Sequence, residues 1–188
     1  MPRGGSVLLA MLCASAAGAA EPKQYLVRLA EDENYTVTET KTWNVQLVRA
    51  QPLHHADIKI TPKTGKPFKL MLYFKSDTHA QANFDSVAKM KEIITYSSQN
   101  DLKRAGVQEL SFQPIDHRGR YGAYAVITNA VPPQLPNATT GPFKFTLRGM
   151  VRLSTDAALG FSLQINEQTS PAFKELLDYI LNFVQPAG

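Results

Sequence analysis

FKFTLRGMVRLSTDAALGFSLQI, residues Phe143–Ile165, decides the architecture. Phe143, Phe145, Leu147, Gly149, Val151 and Leu153 fall on odd positions, while Lys144, Thr146, Arg148, Arg152 and Ser154 fall on even ones. A period of two is the mark of a half-buried strand, and Met150 is the one bulky apolar residue on the polar side. Thr155, Asp156, Ala157 and Ala158 can turn the chain, after which Leu159, Phe161, Leu163 and Ile165 resume the alternation. The stretch therefore reads as an antiparallel hairpin with one apolar and one wet face. Ser170 and Pro171 then open a helix with a capping residue and a proline in the first turn. Its stripe of Phe173, Leu176, Leu177, Ile180 and Val184 can cover the apolar face.

Working outward, Gln24–Leu29 alternates weakly as a first edge strand, Tyr35–Lys41 is rich in Thr, and Trp43, Val45 and Leu47 form a strand. A lone tryptophan on such a face is expected to anchor the core. Gln51–Asp57 reads as a polar connection. Ile58 and Ile60 lead through a Pro- and Gly-containing turn at 61–67 into Phe68, Leu70, Leu72 and Phe74, a second hairpin. From Ala80 to Ala105 the period becomes helical, with Phe84, Val87, Ala88, Met90 and Ile94 on one side, Gly106 as the stop and a break near Ser97–Asn100. Val107–Gln113 reads as a strand interrupted at Pro114. Asp116–Gly119 reads as a turn, and Arg120–Thr128 as a strand whose small residues Gly122, Ala123 and Ala125 admit a close neighbour. Asn129–Pro142, with four prolines and no charge, is a long connection of the kind that carries binding surfaces. The whole is α+β: an antiparallel sheet with a long helix and a C-terminal helix packed on it.

Composition bounds the function. With 188 residues and 44% hydrophobic content, the chain has material for one core. Residues 1–19 carry Arg3, an apolar run from Val7 to Ala14 and a small-residue site, the pattern of a cleaved signal peptide; residues 20–188 are then a single domain. The expected compartment is periplasmic or extracellular. Loss of Arg3 leaves 19 basic against 16 acidic residues, too mild an excess for nucleic acid. Cys13, the single cysteine, lies in the leader, so no disulfide or thiol chemistry is expected in the mature chain, and the bulky Leu12 before it argues against a lipid attachment site.

The order of these elements resembles the PsbP-like (Mog/PsbP) fold of exported bacterial proteins, over residues 24–185. The resemblance is carried by Trp43-Asn44-Val45, the helix around Phe84–Ile94, Gly122-Ala123-Tyr124-Ala125 and the hairpin running to Ser170. It implies a mostly non-catalytic domain that binds other proteins, sometimes at membranes, and transfers no binding residue.

Candidate sites are few. Lys144, Arg148 and Arg152 recur every four residues on one side of a strand, and Lys59, Lys63, Lys66, Lys69 and Lys75 lie on the other hairpin. Were these strands neighbours, they would form a basic sheet face able to attract an anionic headgroup, a glycan or an acidic protein, although a solvated outer face gives the same pattern. Val131 and Leu135 are the apolar contacts of the proline-rich connection. His54, His55 and Asp57 offer imidazole and carboxylate ligands, but adjacent histidines on a strand diverge, and neither a metal nor a cofactor is expected. Gly65-Lys66 lacks the spacing of a phosphate loop. Asp116 and His117 could form an acid–base pair without a marked nucleophile, and no Gly-x-Ser-x-Gly elbow is present. Asn34 and Asn137 match the glycan acceptor pattern. The expected function is an exported, non-catalytic protein-binding domain meeting another envelope or secreted protein, with membrane-surface contact as a further expectation. The alternatives are a carrier of a small apolar or anionic ligand and a hydrolase using the His117/Asp116 pair.

Overall fold

The computed structural model describes residues 23–29, 34–51, 55–76, 84, 86–117, 119–129, 143–154, 156–168 and 171–182. Among these described residues, nine strands and two helices occur in the order β1 (Gln24–Arg28), β2 (Asn34–Thr38), β3 (Trp43–Gln51), β4 (His55–Pro62), β5 (Phe68–Ser76), α1 (Val87–Ala105), β6 (Phe112–His117), β7 (Arg120–Thr128), β8 (Phe145–Arg152), β9 (Ala157–Ile165) and α2 (Pro171–Asn182). The fold is α+β. Seven strands make one antiparallel sheet in the order β3-β4-β5-β9-β8-β7-β6, and β1 and β2 form a separate two-stranded ribbon.

The expected hairpin is present as β8 and β9, paired from Phe145↔Ile165 to Arg152↔Ala158. β9 is the middle strand of the sheet, bonded to β8 on one side and to β5 on the other. It thereby joins the meander β3-β4-β5 to the meander β6-β7-β8. Its odd side chains Leu159, Phe161, Leu163 and Ile165 enter the main core with Leu147, Val151, Ile58, Ile60, Leu70, Leu72 and Phe74. Leu176 and Ile180 of α2 lie in the same core, with Phe173 and Tyr179 packed at its margin. The terminal helix thus roofs the apolar face, as its stripe requires. Trp43 is buried between Phe68 and Tyr179, whose rings meet it edge-on at 5.8 and 4.5 Å.

The first edge strand is corrected by the structure. β1 pairs with β2 instead of joining the large sheet, and Val27, Leu29, Tyr35 and Val37 turn into the main core. The Tyr25 hydroxyl donates to the Val45 carbonyl at 2.8 Å, tying this ribbon to β3. Two strands cannot stabilise themselves alone, so the ribbon depends on that packing.

The wet face of the central hairpin is also corrected. Thr146, Met150, Ala158 and Ser162 are buried. The reason is α1, which packs on β7 and β8 from the opposite side of the sheet and forms a second cluster of Phe84, Met90, Ile94, Ala123, Met150 and Ala158. Period two reports which residues share a face, but not what the other face meets. α1 starts at Val87, with the Ser86 hydroxyl accepting from the Ala88 N–H, and runs without a break through Ser97–Asn100 to Gly106 in the left-handed region. Its buried seam is Met90, Ile94, Ser98, Asp101 and Leu102, and Ala88 lies outside it. Ser98 and Asp101 continue the seam in polar residues, which hides it from a hydrophobicity reading.

Two further expectations shift. Pro114 lies inside β6, which is tolerated because β6 is an edge strand and needs no N–H toward an outer neighbour. Residues 55–57 belong to β4, not to a polar connection. The small-residue reading of β7 holds: Ala123 and Ala125 are fully buried on the face where α1 packs. On the other face, Gly149 sits opposite Phe161, whose ring lies across the glycine. A Cβ at Gly149 would collide with that ring and come within 2.8 Å of Tyr124 Cβ. Gly149→Ala is therefore expected to lower stability by about 1–3 kcal/mol in denaturant unfolding, the range for overpacked cores, with an unchanged m-value.

Candidate binding surface on the half-open sheet face

The register places the polar face in rows. One row crosses four strands as Lys59 (β4), Met71 (β5), Ser162 (β9) and Arg148 (β8). The next runs Asp57, Tyr73, Gly160 and Met150, and a third runs His55, Lys75, Ala158 and Arg152. On the other side of the first row, Lys69 stands opposite Gln164, which stands opposite Thr146. Cross-strand partners share a face, so all these residues lie on the side that carries α1. Since α1 packs over β7 and β8, it covers one half of this face, and β3, β4 and β5 form the other half.

Lys59, Lys69, Lys75, Arg148 and Arg152 share one face, while Lys63, Lys66 and Lys144 lie outside the strands, and the members of the two groups have different fates. Arg148 donates through Nε and Nη2 to Asp101 Oδ2, at 3.0 and 2.6 Å. Asp101 also takes Nη2 of Arg104 at 2.7 Å, so one carboxylate serves two guanidinium groups. Arg152 donates to the Tyr121 hydroxyl at 2.6 Å and to the Ser154 carbonyl, and its guanidinium lies over the Tyr121 ring. Lys63 pairs with Glu39 at 2.8 Å and Lys66 with Glu167 at 2.5 Å, both outside the sheet proper. The Lys63 contact holds the Glu39 carboxyl below its usual range. Lys59, Lys69 and Lys75 have no carboxylate partner among the described residues. Lys144 is exposed, with its ammonium 5.2 Å from the centre of the Phe145 ring. Asp57 is the single acidic residue in β3, β4, β5 and β9, which together contain Arg49, Lys59, Lys69 and Lys75.

Asp101 is the charged residue of this region that sequence reasoning missed. A usable signal existed: with Met90 and Ile94 defining the buried side of α1, positions 98 and 101 fall on it, and a carboxylate there demands a cationic partner. Burial, reinforced by the charges of Asp57 and Asp101 and opposed by Arg148, pushes the Tyr73 phenol above its ordinary range. His55 Nε2 lies 2.8 Å from Asp57 Oδ1, an ion-pair distance, yet the two atoms are not aligned as a hydrogen bond. His54 lies outside the described residues, and no cluster of three metal-ligating side chains occurs among the described ones. Asp116 is exposed at the β6–β7 turn, while the His117 side chain is outside the description. Val131 and Leu135 also fall outside it. The ends of their segment are clipped together, with the Asn129 side chain donating to the Phe143 carbonyl at 2.6 Å and the Asn129 N–H to the Lys144 carbonyl at 2.8 Å.

The arrangement supplies cations on a floor of strands beside a helix, without a convergent acid–base pair and nucleophile among the described side chains. Two measurements check it. Asp101→Asn should cost about 1–3 kcal/mol, the scale of hydrogen bonds to charged groups, and loosen α1 in amide exchange. In an alkaline titration followed by phenolate absorbance, Tyr73, Tyr124 and Tyr179 should ionise late, above the ordinary phenol range, because burial raises all three. The unfolded chain ionises near pH 10, so their contribution to stability is complete below that pH and declines above it. Tyr73→Phe should remove part of the late phase.

Neither a protein-family model nor a curated protein matches the chain. A solved structure does: the solution structure of cyanobacterial PsbP (CyanoP) from Synechocystis sp. PCC 6803, at 13% identity, with a TM-score of 0.51, over 94% of this chain and 98% of that one. At such identity the likeness concerns fold alone, and the sheet, ribbon and two helices described above constitute a PsbP-like fold.

Proposed function

We propose that this chain is an exported, non-catalytic protein-binding domain that engages its partner through the open half of the polar sheet face. The observation that carries the reading is the charge imbalance there: Lys59, Lys69 and Lys75 stand on adjacent strands without a carboxylate partner among the described residues, and Asp57 alone opposes them within β3, β4, β5 and β9. Packed proteins normally neutralise such groupings or disperse them, and a one-sign surface beside a helix raises the rate of encounter with an oppositely charged partner. The segment 130–142 leaves β7 at Asn129 and returns at Phe143, at the same end of the sheet as Lys69 and Lys144. Val131 and Leu135 of that segment, read from the sequence as candidate contacts, lie outside the described residues. The leader at residues 1–19 delivers the domain to the periplasm or the exterior.

Photo-crosslinking in the exporting cell tests this. A photoreactive residue in place of Lys69 is expected to give a discrete adduct, whereas the same residue in place of the exposed Lys174 on α2 gives none. Equal labelling from both positions, or silence at position 69, would remove the sheet face as the binding surface. Export is checked separately by fractionation and by the mass of the mature N-terminus.

A further inference from the structure

The open half of the polar face is a corner, and its shape as well as its charge restricts what can occupy it. Its floor is the stretch of β4, β5 and β9 that displays Lys59, Met71, Lys69, Gln164 and Tyr73. Its wall is one flank of α1. Lys91 of α1 lies over the Phe112 ring of β6, 5.6 Å from its centre, so that flank of the helix faces β6. At 3.6 residues per turn the opposite flank, with Ser97, Asn100 and Arg104, then faces β9 and β5. Arg104 fits this placement, since it shares Asp101 with Arg148 on β8, and its side chain is 76% exposed. Only one of the two guanidinium charges is balanced by Asp101. The wall is therefore cationic as well as the floor.

Lys59 and Arg148 stand three strand spacings apart in the same row, about 14 Å. Met71 and Ser162 lie between them. A helix is about 10 Å across, so α1 stands well above the floor. A flat anionic bilayer resting on α1 would be held off Lys59 and Lys69. A small anion could engage Lys59 and Lys69, which are diagonal neighbours on adjacent strands, but it would leave Met71 and Arg104 unused. A chain that can lie along the corner meets both surfaces, with carboxylates reaching Lys59, Lys69 and Arg104 and an apolar side chain on Met71.

Resting on the binding reading above, we propose that the occupant of this corner is an acidic, amphipathic polypeptide segment of the partner, seated beside α1 on β4 and β5. The probe is a synthetic helix-forming peptide with glutamates flanking a leucine stripe, titrated into isotope-labelled full mature chain while backbone amide shifts are followed. Shifts are expected at Lys59, Lys69, Met71, Tyr73 and Ser97–Arg104, with binding that weakens as salt rises. Lys59→Glu combined with Lys69→Glu should weaken binding by at least about tenfold, the change expected when cations of a complementary surface are reversed. Arg104→Gln, at an exposed helix position, should weaken binding without setting a second carboxylate against Asp101, and Lys174→Glu should leave binding unchanged.

Absence of shifts in the corner, or shifts confined to other surfaces, overturns the proposal. So does the same corner response to phosphatidylcholine–phosphatidylglycerol vesicles with none to the peptide. An adduct from position 69 without a peptide response sinks the acidic segment alone; silence at position 69 sinks the binding reading as well.

Discussion

Everything in this fold hangs on the double pairing of β9. The strand bonds β8 through Phe145↔Ile165 to Arg152↔Ala158 and β5 through Phe68↔Ile165 to Ser76↔Ala157. It is the seam between two meanders that are distant in sequence. Because side chains alternate strictly, a slip by one residue on either edge of β9 would exchange the residues of both faces at once. Leu159, Phe161, Leu163 and Ile165 would leave the core under α2, and Gly160 and Ser162 would enter it. Phe161 over Gly149 fixes the register further, since the ring occupies space that any larger residue would need.

From that register follows the division of labour between the two faces. The odd face is closed by α2 and by the β1–β2 ribbon, and its core contains Trp43 set between Phe68 and Tyr179. The opposite face is closed by α1 over β7, β8 and the adjoining residues of β9, because β7 offers Ala123 and Ala125 as a shallow bed, β9 adds Ala158, and α1 brings Met90 and Ile94. The ion pair from Asp101 to Arg148 stands at the edge of that closure. It fixes the lateral position of the helix and keeps Arg148 from remaining a free surface cation.

The same asymmetry separates structural charges from available ones. Arg148, Arg152, Lys63 and Lys66 have partners within the fold. Lys59 and Lys69 occupy strands where Asp57 is the one acid, and neither has a carboxylate partner among the described residues. Edge-strand addition to β3 is a weaker route to a partner: the register shifts between Leu47 and Arg49, and such irregularities blunt an exposed edge.

By itself the sequence determined the local elements: the two-residue rhythm of Phe143–Ile165, the turn at Gly119, the proline opening α2 and the stripe of Leu176 and Ile180 are written in neighbouring residues, where sterics and periodicity act. It also determined which residues of a strand share a face, and hence that Arg148 and Arg152 lie together. Only the tertiary structure decided what covers each face, because that depends on which distant strands β9 pairs with and on where α1 comes to rest. Helical spacing puts Asp101 on the buried side of α1, but nothing local names its partner Arg148, 47 positions away. The separation of engaged cations from unpaired ones was settled there too, since an ion pair is a matter of distance in space and no spacing along a chain specifies it.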